Sequence, residues 1–127
     1  MLRGWSFMTR YKKGTVVLVL FLFPNSDLVT AKRRPALVVQ ADELDTGLEQ
    51  VLVAMITSNL SRDGHPSRVR INKDSVEGKS AGILTDSVVL TDNLATVRLV
   101  EIDRGLGVFP NMDAVESALK VTFGLKK

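Results

Sequence analysis

The stretch Val16-Val17-Leu18-Val19-Leu20-Phe21-Leu22-Phe23 decides the fold. Eight apolar residues in succession, opened by Gly14 and closed by Pro24, admit three readings: a membrane span, an export signal or a buried strand. A helix crossing a bilayer needs roughly 20 apolar residues, so the span is excluded on length. The export reading draws on the basic residues ahead of the run and on Val29-Thr30-Ala31 behind it, which is built like a small-residue cleavage site. Against it stand the enrichment in Val and Phe and the strand length between Gly14 and Pro24, which fit a strand buried inside a sheet. The buried strand is the reading adopted.

Working outward, the first strand is expected over residues 15–23, followed by a loop that starts at Pro24-Asn25-Ser26-Asp27 and continues through Lys32-Arg33-Arg34. Pro35 then opens a second strand, Ala36-Leu37-Val38-Val39, because proline is tolerated at a strand's first residue. This sets Arg34 at a loop-to-strand junction. Residues 51–56 read as a central strand that ends at the hydroxyls of Thr57 and Ser58. After a turn-rich loop, Arg68-Val69-Arg70-Ile71 alternates, giving one basic face, and further strands are expected over residues 87–90 and 96–106. The helix comes last: Met112, Val115, Leu119 and Phe123 recur on one face, with Asn111 as cap and Gly124 as stop. Short strands without crossover helices predict a mainly β fold, a small twisted or barrel-like antiparallel sheet with a C-terminal α-helix. Residues 1–10 form an N-terminal tail that need not be ordered, with Met8 as an alternative start, and residues 11–127 form the domain.

At 127 residues, 45% hydrophobic and 24% charged, the chain has material for one modest core. Without cysteine it has neither disulfides nor thiolate metal sites, which suits a reducing, cytoplasmic setting. The net charge of +3 is unevenly spread: Arg3, Arg10, Lys12, Lys13, Lys32, Arg33 and Arg34 face only Asp27 in the first 34 residues. Such clustering suits a phosphate backbone or an acidic protein partner. His65, the single histidine, lies between Gly64 and Pro66 and reads as an exposed loop residue. No metal-ligand spacing, P-loop or nucleophile elbow occurs, so no metal and no cofactor is expected. Arginine, hydroxyl and carboxylate groups on loops remain. These are compatible with cutting RNA, which brings its own nucleophile in the 2′-hydroxyl.

Four segments taken in order, Gly14-Thr15-Val16-Val17-Leu18-Val19, Lys32-Arg33-Arg34-Pro35-Ala36-Leu37-Val38-Val39, Ala54-Met55-Ile56-Thr57-Ser58 and Asp86-Ser87-Val88-Val89-Leu90, resemble the MazF/PemK toxins. The resemblance runs over residues 11–125. It implies an SH3-like barrel, a homodimer, metal-independent cleavage of single-stranded RNA, and neutralisation by a cognate antitoxin. Position by position, it makes Arg34 the contact to the scissile phosphate and Thr57 the phosphate-binding or catalytic hydroxyl, with Ser58 as a supporting donor. Asp27 would orient Arg34 or touch RNA, and Lys32 and Arg33 would steer the strand. Arg70 would add a further RNA contact from its basic face. Two positions depart from the pattern. Ala95 precedes Thr96 where many relatives carry arginine, and Leu90 stands where one branch of the family places an arginine that works with the position of Asp92. Two other functions suit the same scaffold: an inhibitor that binds a protein, as in the gyrase-poisoning toxins of this fold, and a module that binds RNA without cutting it.

Overall fold

The apolar run becomes β1 (Thr15–Asn25) in the computed structural model, which describes residues 11–25 and 28–126. It pairs on one side with β2 (Leu28–Val38), Val16 opposite Leu37 and Asn25 opposite Leu28. The later strands are β3 (Gln50–Thr57), β4 (Arg68–Ile71), β5 (Ser87–Arg98) and β6 (Ile102–Val108), the last pairing with the other side of β1. All pairings are antiparallel, and the six strands lie in the order β4-β5-β3-β2-β1-β6. Among the described residues there are two α-helices, α1 (Val76–Ala81) and α2 (Met112–Phe123). Among the described residues, no helix is long and apolar enough to cross a membrane.

The unbroken apolar sequence of β1 follows from burial on both of its faces. Val16 joins Leu37, Ala54, Ile56, Val89, Phe109 and Val115 in one core, under the two helices. Val17 and Val19 join Ala36, Val38, Val53, Val97, Leu99 and Ile102 in a second core on the opposite face. An antiparallel strand with one wet face would alternate; one that divides two cores need not. The mainly β class with a C-terminal helix is as expected. The ladder, however, does not close into a ring: β4 and β6 are its edges among the described residues. The second core is instead covered by the far half of β5, the 3-10 turn Leu99–Glu101 and the start of β6.

Three expectations need correction. Residues 28–34, read as loop, belong to β2, so Arg34 lies inside a strand opposite Val19, and Pro35, expected to open the strand, lies within it opposite Leu18. Pro35 is accommodated because β2 meets β3 only over residues 36–38, leaving an unpaired edge alongside it. The expected strand over 96–106 is divided by the 3-10 turn, its first part continuing β5 and its second forming β6. Helix α1 escaped notice because it is one short segment, capped by the Ser75 side chain accepting from Gly78 N at 2.9 Å and ended by Gly82 at a positive φ of 75°. Helix α2 forms as predicted, with Asn111 accepting from Ala114 N, but Val115 and Ala118 are its buried residues while Phe123 is 56% exposed.

Phe109 is the largest fully buried side chain and joins β1 to α2. Phe109→Ala is expected to cost about 3–5 kcal/mol, read as a lower urea midpoint at unchanged slope. Lys13 bonds Glu116 on α2, and this holds the Glu116 carboxyl below the ordinary glutamate range. A depressed folded-state value stabilises at neutral pH and is lost as pH falls through and below that range. Because Glu116 is half-exposed the effect is small. Glu116→Gln is expected to lower Tm slightly at pH 7 and to narrow the gap from wild type in acid.

Candidate active site

Beyond Val19, β1 has no partner in β6, and before Ala36, β2 has none in β3. Residues 20–25 and 28–34 therefore pair only with each other, as a two-stranded ribbon that extends past the sheet. Side chains alternate along it, and residues directly opposite share a face. Val19 opposite Arg34 and Phe21 opposite Lys32 fall on the face of the second core. Arg33 falls on the other face with Pro35, where its Nε donates to Asp103 Oδ2 at 3.2 Å, an oxygen also bound by Arg104 Nη1 at 3.0 Å. The basic corner that looked continuous in sequence is thus split between two faces of the ribbon.

On the Arg34 face, Phe21, Arg34, Met55, Asn93 and Ala95 line an open cleft of about 310 Å³. Arg34 is exposed, and among the described residues no carboxylate pairs with it. Thr57 lies two residues beyond Met55 at the end of β3, on the same face. Arg34 and Thr57 each lie two residues beyond the Ala36–Met55 pair, past the end of the β2–β3 pairing and on the same face. Thr57 Oγ1 accepts from Asn59 N at 3.1 Å, which fixes the oxygen and leaves its proton to be donated outward. Asn59 is anchored in turn, its Oδ1 accepting from Ser61 N at 3.2 Å and Ser61 Oγ at 2.7 Å at the start of the 3-10 turn Leu60–Arg62. Ser58 follows Thr57 and is exposed.

The other expected residues are placed differently. Asp27 lies outside the described residues. Arg70 is on β4, three positions across the sheet from β2, and its guanidinium pairs with Asp63 at 3.0 Å and Asp86 at 3.7 Å. Hydrogen bonding from Arg70 in turn holds the Asp63 carboxyl below its usual range. His65 is an exposed loop residue whose Nδ1 lies 2.7 Å from Ser67 Oγ. Leu90 is buried, and Ala95 makes part of the cleft wall apolar. Among the described residues, no three His, Cys, Asp or Glu side chains gather as metal ligands. Phe21, Met55 and Asn93 were not anticipated. Alternation from Val19 and from Val53 points to the first two, whereas Asn93 sits in a bulge that breaks the alternation of β5. A second cleft, of about 270 Å³ on the opposite face, is mostly aliphatic, with Leu18, Pro35, Ile83, Leu84 and Leu106 beside Arg104.

Residues 12–123 match the family described as PemK-like, MazF-like toxin of type II toxin-antitoxin system. Endoribonuclease MazF2 of Mycobacterium bovis and Endoribonuclease MazF6 of Mycobacterium tuberculosis are each 36% identical to the chain over 96 residues, spanning 67% of it and 84% of their own length. Toxin MazF-mt6 of Mycobacterium tuberculosis superimposes with a TM-score of 0.68 at 23% identity, covering 89% of this chain and 99% of that one. An endoribonuclease from a mycobacterial species, solved with its cognate antitoxin, gives a TM-score of 0.68 at 20% identity over 93% and 99% of the two chains. These structural likenesses show a shared fold. Together with the family match across the described domain, they lead to one conclusion: the chain belongs to the PemK-like, MazF-like toxins of type II toxin-antitoxin systems.

Proposed function

We propose that this toxin is a metal-independent endoribonuclease that cuts single-stranded RNA, messenger RNA in particular, at the cleft bearing Arg34. It acts in the cytoplasm as a homodimer and is held inactive by a cognate antitoxin. The observation that carries the reading is a guanidinium with no acid partner among the described residues, set beside an aromatic ring and an amide on the face that carries the Thr57 hydroxyl.

Cutting RNA asks little covalent chemistry of the protein. The 2′-oxygen attacks the adjacent phosphorus as the bond to the 5′-oxygen breaks; the 2′-hydroxyl loses its proton and the departing oxygen gains one. What the site must supply is orientation and neutralisation of charge on the phosphoryl oxygens. Arg34 offers a forked, permanently charged donor for two of those oxygens. Thr57, its oxygen already accepting from Asn59 N, donates its proton to the phosphate. Phe21 lines the cleft wall, and Lys32, on the same side of the ribbon, adds positive charge that draws in the backbone.

Arg34→Ala is expected to lower kcat about 10²- to 10³-fold, the usual cost of losing one preorganised charge-stabilising donor, while the melting curve stays unchanged because Arg34 is exposed. Thr57→Val is expected to reduce turnover to a smaller degree. Both are read with a fluorogenic single-stranded RNA in the presence of a chelator. RNA left intact by the wild-type protein over a wide concentration range would contradict the reading. One observation favours an inhibitor that binds a protein instead: Ala95 leaves part of the cleft wall apolar and Leu90 is buried, so neither position offers RNA a cation. That alternative predicts toxicity that persists in Arg34→Ala.

A further inference from the structure

Strand β5 carries a bulge facing the cleft. Its register against β3 jumps from Met55 opposite Leu90 to Ala54 opposite Leu94, leaving Thr91, Asp92 and Asn93 without partners in β3. A bulge that size moves unless something ties it down. Here β4 and α2 do so. Thr91 is fully buried; its backbone N and its Oγ1 both donate to Ser67 O, at 3.1 and 2.5 Å, and Oγ1 lies 2.9 Å from Thr122 Oγ1 on α2. Asp92 is gripped by Arg68 with two prongs, Nη2 to Oδ2 at 2.9 Å and Nε to Oδ1 at 3.4 Å. Arg68 stands directly opposite Leu90 on β4, and its Nη1 donates to Arg62 O at 3.0 Å, so its own direction is fixed from both sides.

The next residue, Asn93, is exposed, lines the cleft with Arg34 and Phe21, and has no side-chain hydrogen bond to another described residue. Its amide presents both donors and an acceptor, and single-stranded RNA is read by such groups on the edges of unstacked bases. We infer that Asn93 selects a nucleobase next to the cut, and that Arg68 is a positioning residue which, by clamping Asp92, holds the bulge so that the Asn93 amide meets that base. The inference rests on the nuclease reading of the same cleft. Hydrogen bonding from Arg68 keeps the Asp92 carboxyl below its ordinary range, so the clamp stays charged at neutral pH. Arg68 is thereby occupied in shaping the site and is not a steering charge.

The test is cleavage of single-stranded RNAs randomised around the cut, comparing wild type with Asn93→Ala, Arg68→Met, Arg68→Lys and the double variant Asn93→Ala/Arg68→Met. Asn93→Ala is expected to reduce discrimination at one substrate position about 10-fold, the scale of one good amide-to-base pairing. Arg68→Met is expected to weaken preference at that same position, Arg68→Lys to restore part of it, and the double variant to match Asn93→Ala, since residues acting through one another do not add. If Arg68→Met fails to fold, Asp92→Asn breaks the same clamp with little change of shape and carries the same expectation. Preference unchanged in Asn93→Ala, or turnover lost in Arg68→Met with preference intact, would overturn the inference while leaving the nuclease reading standing. Wild-type protein that cuts none of the RNAs would overturn both.

Discussion

Burial of β1 and its neighbours on both faces is the constraint on which the rest of the structure depends. Each fully buried Val or Leu contributes about 1.5–3 kcal/mol, and a slip of one residue would exchange the contents of the two cores. Exposed ion pairs contribute about 0–1 kcal/mol each. The apolar register therefore fixes the strands, and the charged residues go where that register leaves them. Arg33 is carried to the helix side, where Asp103 meets it, and Arg34 to the cleft side, where no acid among the described residues does. A corner that is uniformly basic in sequence is divided by the period of a strand.

The same constraint explains how a few groups could serve the proposed site. Beyond the point where both cores end, β1 and β2 continue as a ribbon without further partners, and β3 ends beside it at Thr57. The cleft walls are thus strand residues with fixed directions, and the one polar turn involved, at Asn59, is tied by its own side chain. A guanidinium and a hydroxyl held this way are preorganised donors, and such donors count most where charge develops during reaction. The substrate supplies the attacking oxygen.

Much of this was legible in the sequence, for definite physical reasons. The apolar run and the periodic face of α2 are strong local signals, and both elements form. Arg34 and Thr57 were singled out through resemblance as candidates, and strand alternation on either side of the Ala36–Met55 pair puts them on one face. The ribbon was missed because Pro24 and Asn25 read as loop formers and Pro35 as the first residue of a strand, whereas pairing to a neighbouring strand overrides those local preferences once one edge is free. Phe123 repeats at helical spacing yet is exposed and takes no part in the core that α2 covers, so the periodic face extends one turn further than the buried one. Asn93 carried no signal at all: its direction follows from a bulge held by β4 and α2, contacts too distant in sequence for any local pattern to reveal.

In the proposed function this cleft cuts RNA by means of the substrate's own 2′-hydroxyl, with the protein contributing charge and orientation. It is tested most directly with two single-stranded oligonucleotides of one sequence containing a preferred cleavage site, the second with a single 2′-deoxynucleotide on the 5′ side of the bond that is cut. With wild-type protein and chelator, the all-ribose strand is expected to be cut and the substituted strand to stay whole at that bond. Cleavage of the substituted strand at the same bond would contradict it.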